Sequence, residues 1–276
     1  MGTRKVFLAV LVLAGVAIFA SGAEAQRTPG NLTPGAAGIQ NTKHNLSNAA
    51  NFINTQDAAA NKEICVFCHT PHGADTTVAA PLWNRKINSG TYTVYSSPSF
   101  DASPTNDGKA PQPNGVSLAC LSCHDGTIAF DALRNLPGSG GYDPTATSAG
   151  WVFNNGNNIM PTGRITNLGD PQVGGQPDLS NDHPISMCYA DAKSPSSLSG
   201  TNDHATGFYE PTGGSACSDV VDKYFANGLK IAAGKVQCSS CHDPHRSDNV
   251  TFLRIDNGGK GNEGSAICLT CHKKNG

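Results

Sequence analysis

The chain has 276 residues, of which 14% are charged and 38% apolar, and a net charge of −2. Globular domains average about 25% charged and ~45% apolar. The sequence is therefore poor in the material of an ordinary core, and its charge excludes nucleic-acid binding through bulk positive potential. It is rich instead in glycine (31), proline (17) and cysteine (10).

Arg4 and Lys5 precede an apolar run from Val6 to Ala20, and Ala23-Glu24-Ala25 puts small residues at both positions a signal peptidase reads. The pattern predicts a signal peptide over 1–25. The run of 15 is shorter than the ~20 apolar residues a spanning helix needs. No cysteine precedes Cys65 to carry a lipid, and no later stretch approaches membrane length. The expectation is an exported chain with no membrane span, in a compartment where disulfides persist.

Residues 26–62 read as an N-terminal arm, with an Ala-rich candidate helix over 48–62. Residues 63–135 carry two repeated motifs, 136–237 carry none, and 238–276 carry two more. The middle segment has runs such as Asn154-Asn155-Gly156-Asn157-Asn158, which read as turns and loops. Strand signals cover 91–95, 151–153 and 250–255. Val220, Val221, Tyr224, Phe225, Leu229 and Ile231 have rough helical spacing, which predicts a helix over 219–233. The Gly-rich stretch 256–265 lacks the Lys-Ser/Thr pair of a phosphate cradle and reads as a loop.

The repeated motif is Cys-x-x-Cys-His: Cys65/Cys68/His69, Cys120/Cys123/His124, Cys238/Cys241/His242 and Cys268/Cys271/His272. These are sites 1 to 4 below. A Cys-x-x-Cys pair alone can hold zinc or act as a redox couple, but neither use requires the histidine. With nine histidines in 276 residues, four chance placements are on the order of one in a million. The pattern is that of c-type haem attachment. One helical turn spaces two thiols for thioether bonds to one haem, and the next residue ligates its iron. Four covalent haems would supply the apolar bulk the composition lacks. The predicted fold class is a multihaem cytochrome c, mostly coil with short helices and few strands, wrapped around a chain of four haems.

Five histidines remain: His44, His72, His183, His204 and His245. They are enough to give each iron a second axial imidazole. Six-coordinate iron leaves no place for substrate, so the count predicts electron transfer rather than catalysis. Met160 and Met187 are too few for His/Met ligation at four sites. His72 and His245 each follow a motif histidine by three residues, a span of at most about 10 Å. That is too short to round the porphyrin edge, so each is expected on a neighbouring haem. His44 and His183 suit delivery from loops, and His204 is the alternative axial ligand. Cys188 and Cys217 stand outside the motifs and are expected to form a disulfide.

Together with their motif words, Lys43-His44-Asn45-Leu46-Ser47, Ala80-Pro81-Leu82-Trp83-Asn84, Cys120 to Leu133 and Ala266 to His272 resemble the outer-membrane multihaem cytochromes of metal-reducing bacteria. The resemblance covers most of residues 26–276, but not 142–177. It implies an extracellular homopolymer whose stacked haems form a continuous electron path, one haem taking an axial histidine from the next subunit. His44, on the arm, is by that analogy the expected crossing ligand. Other redox proteins and extracellular acceptors such as metal oxides are the implied partners. A soluble periplasmic electron shuttle and a haem reductase with one open iron are the alternatives.

Overall fold

The computed structural model describes residues 38–39, 42–46, 53–54, 64–100, 102–105, 107–129, 132–135, 152–153, 177–193, 207–256 and 265–273. The predicted signal peptide, His204 and most of the candidate helix 48–62 lie outside them. Regular elements are short and sparse, as the glycine and proline content dictates. Among the described residues no helix is long and apolar enough to cross a membrane.

Four helical pieces carry the four motifs. A 3₁₀ turn spans Ile64–Phe67, α1 spans Ser117–His124, α3 spans Cys238–Cys241 and α4 spans Ala266–Cys271. A short helix, α2, covers Tyr189–Ala192. Among the described residues six two-residue strands pair in three ribbons. β1 (Ile53–Asn54) runs antiparallel to β3 (Val152–Phe153), β2 (Thr93–Val94) parallel to β4 (Asp178–Leu179), and β5 (Lys223–Tyr224) antiparallel to β6 (Lys230–Ile231). The expected strands at 91–95 and 151–153 are present in shortened form.

Two expected elements are corrected. Residues 219–233 form the β5–β6 hairpin, not a helix. Its turn places Asn227 and Gly228 between the strands, with Gly228 at φ 95°. Asn-Gly is a strong hairpin signal because the turn needs positive φ. Val220 and Val221 are 88% and 58% exposed, so their apparent helical face is not a buried one. The expected strand at 250–255 begins as a 3₁₀ turn over Val250–Phe252, because Thr251 and Phe252 both take positive φ.

The protein also builds more core of its own than its composition suggested. Ala102, Met187, Tyr189, Phe225, Leu229, Ile231, Val236 and Ile255 pack into one buried cluster, which Phe208 and Ile267 flank. Cys188, between the cluster residues Met187 and Tyr189, is bridged to Cys217, with Cα atoms 5.3 Å apart, within the usual bridging range. Around sites 1 and 2 the buried apolar groups are small: Val78, Trp83 and Ala119 in one, Tyr92, Leu121 and Leu179 in the other.

Candidate haem-binding sites

Three of the four motifs share one backbone arrangement. After the second cysteine the chain leaves the helix, and an antiparallel segment bridges the histidine. At site 1, Asn84 N–H donates to Cys68 O (2.9 Å) and Thr70 N–H to Leu82 O (2.8 Å). At site 3, Arg254 donates to Cys241 O and Asp243 to Phe252 O, both at 2.8 Å. At site 4, Tyr209 donates to Cys271 O and Lys273 to Gly207 O, again at 2.8 Å. Site 2 differs. His124 stays helical, and Asp125 N–H continues the ladder to Leu121 O (3.1 Å).

The bridging segments also orient imidazoles. His69 Nδ1 donates to Pro81 O at 2.7 Å, and His242 Nδ1 donates to Thr251 O at 2.8 Å. A carbonyl only accepts, so Nδ1 holds the proton and Nε2 keeps its lone pair for a metal. His183 Nδ1 is fixed in the same way by Pro184 O at 2.8 Å.

Three motif histidines meet a distal histidine. The ring centroids of His69 and His245 are 6.0 Å apart with planes 18° from parallel. His124 faces His44 at 6.1 Å and 70°, and His272 faces His183 at 6.4 Å and 72°. Two imidazoles on opposite faces of one iron have centroids about 6.3 Å apart, from metal–nitrogen bonds of roughly 2.0 Å and a ring radius of roughly 1.2 Å. The three observed separations bracket that value. Burial, then repulsion from His124, lowers the His44 pKa to about 4. Burial, then His183, lowers that of His272. Both rings are therefore neutral near pH 7, the form a metal accepts.

His245 lies against His69 of site 1 and not against its own motif histidine, and Asp243 Oδ1 accepts from His245 N–H (3.1 Å). His72, like His245 expected on a neighbouring haem, stands beside no motif histidine among the described residues. Thr70 Oγ1 and Asn135 Nδ2 both donate to His72 O, at 3.0 and 2.6 Å, and the residue stays exposed. Among the described residues no histidine ring stands at ligand spacing from His242. His44, the expected crossing ligand, stacks on Phe252 of its own chain at 4.2 Å, beside His124.

The thiols show which sites are neighbours. Cys68 neighbours Cys123, Cys120 touches Cys238, and Cys241 neighbours both Cys268 and Cys271. Each motif therefore has a thiol beside one of the next motif in the sequence. Burial pushes the Cys68 thiol up to about 12 and those of Cys241 and Cys271 to about 11. Cys65 and Cys268, of the first and last motifs, are exposed.

The surroundings suit a large apolar group bearing carboxylates. A cleft lined by Pro111, Pro113, Leu179, Ile185, His183 and Cys238 joins site 3 to the distal ligand candidate of site 4. Buried Trp83 stands edge-on to His69 at 6.0 Å, and its Nε1 has no acceptor among the described residues. That donor fits a haem propionate. Sequence reasoning did not single out Trp83 for this role, although Ala80–Asn84 was noted.

Residues 230–276 match the family model for the doubled CXXCH motif. The motif indicates covalently attached c-type haem. It fits the multihaem c-type cytochromes, a class of electron-transfer proteins. No curated protein matches the chain.

Proposed function

We propose that the protein is an exported electron conduit holding four c-type haems, one on each Cys-x-x-Cys-His motif, each six-coordinate with two imidazoles. The observation that carries this reading is the set of three histidine pairs at 6.0–6.4 Å, each joining a motif histidine to one elsewhere in the chain. Bound haem supplies reversible one-electron chemistry at iron. The chain's part is to fill both axial positions, to exclude substrate from them, and to bring consecutive motifs into contact. The exposure of Cys65 and Cys268 supports entry and exit of electrons at the two ends.

In this reading residues 1–25 direct export. The finer function is extracellular electron transfer as a subunit of a homopolymeric filament, delivering to other redox proteins or to acceptors such as metal oxides. An axial histidine supplied across subunits is part of that proposal. The pairing of His44 with His124 moves the crossing role to His72, which is exposed and unpaired with any motif histidine among the described residues, with His242 as the receiving site. The domain limits 26–62, 63–135, 136–237 and 238–276 are retained as functional regions.

The same feature of His242 favours a second reading, a haem enzyme with one open iron. Carbon monoxide added to the ferrous protein separates the two. The conduit predicts no CO complex in the secreted polymer and CO binding at one site at most in isolated monomer. CO binding in the polymer would support the enzyme. Negative-stain microscopy of the secreted fraction tests the filament directly.

A further inference from the structure

Sites 2 and 3 belong to different halves of the sequence, yet their helices start against each other. Ser117 begins α1 and Gln237 precedes α3, and the two lie 120 residues apart in the chain. Ser117 Oγ donates to Gln237 Oε1 and accepts from Cys238 N–H at 3.0 Å. Gln237 Nε2 donates to Asn114 Oδ1 at 3.3 Å, and Asn114 N–H donates to Ser186 Oγ at 2.8 Å. Gln237 N–H donates to Ser240 Oγ at 3.0 Å, which ties the same residue into the first turn of α3. Ser117, Ser186 and Gln237 are all buried. Gly115, at φ 59°, leaves room for the amide, since a Cβ there would lie 3.0 Å from Gln237 Nε2.

One turn beyond Ser117 on α1 is Cys120, and directly after Gln237 is Cys238. Their thiols touch. These two cysteines each tether one attached group, so whatever fixes Ser117 against Gln237 fixes the distance between the groups. The segment between the sites, rich in Gly, Asn and Pro, need not set that distance. We infer that Ser117 and Gln237 form a positioning clamp that holds the site 2 and site 3 haems in contact and so sets the central electron-transfer step. The inference rests on the four-haem reading above. Polar groups suit this role because hydrogen bonds fix direction as well as distance, and buried ones are costly to leave unmade.

The test uses the mature holoprotein. Gln237→Leu keeps most of the side-chain volume and removes its polar atoms; Ser117→Ala removes the hydroxyl; Gln237→Asn is a milder change. Ser103→Ala, which deletes a buried hydroxyl bonded to Asp107, controls for general loosening. Haem content comes from the pyridine haemochrome assay. Contact between haems comes from the bisignate Soret circular dichroism, normalised to that content. Clamp variants with four haems should lose couplet amplitude, least for Gln237→Asn, while Ser103→Ala keeps it. An unchanged couplet in Gln237→Leu or Gln237→Asn at full haem content overturns the clamp alone. A wild-type protein lacking haem at site 2 or 3 overturns both the clamp and the four-haem reading.

Discussion

Replacing His245 by alanine isolates one axial position. The imidazole lies 6.0 Å from that of His69, on a residue whose side chain is 63% exposed. Little packing is lost, so the fold should survive. The expected change is confined to site 1, one of four motifs, so about a quarter of the iron should become high-spin. Losing a strong axial donor also favours the ferrous state, so the potential of that site should rise. Ferrous CO titration gives the stoichiometry: one CO per chain above the wild-type value. His72→Ala in isolated monomer should add none. The reasoning is refuted if His245→Ala leaves every iron low-spin and closed to CO, or if His72→Ala opens site 1 instead.

Other expectations concern stability and processing. Removing the Cys188–Cys217 bridge as a paired alanine variant should cost about 3–4 kcal/mol in denaturant unfolding on the chain-entropy model, because the bridge closes a loop with a separation of 29 residues. Asn135→Ala removes the Nδ2 donor that Thr70 Oγ1 and His72 O share in a buried network, and keeps the backbone bonds to Asn84. It should destabilise by about 1–3 kcal/mol, with site 1 the first to lose its spectrum on warming. Amino-terminal sequencing of the exported protein should begin at Gln26. A start at Met1 would remove the signal-peptide reading.

The chemistry of the motifs was legible because it is local. Five consecutive residues hold both thiols and the proximal histidine, and all four motifs sit on a helical turn as that spacing requires. The disulfide was legible by elimination, since eight of ten cysteines already had a use. The distal-ligand candidates were legible only as a pool. Which of them meets which motif depends on long-range contacts: His44 Nδ1 approaches Pro244 O at 3.5 Å across 200 residues of chain, and no periodicity records such a meeting. Chain stiffness argued against pairing His245 with His242 but did not point to His69, beside which its ring lies, and it said nothing about where His72 would point. The misread helix at 219–233 had a local cue, Asn227-Gly228, which outweighs an apolar spacing broken by exposed valines. The Ser117–Gln237 contact had no sequence signal, because serine and glutamine are ordinary surface residues until burial gives them partners.

The central claim is that the chain's own histidines close the iron sites in the pairs the structure shows. Electron paramagnetic resonance of the fully oxidised monomer, integrated against haem content, tests it most directly. The account predicts low-spin ferric signals for at least three of the four sites. One should be rhombic, from the near-parallel rings at 18°, and two strongly anisotropic, from rings crossed at 70° and 72°. A spectrum in which high-spin iron accounts for more than one site would contradict it.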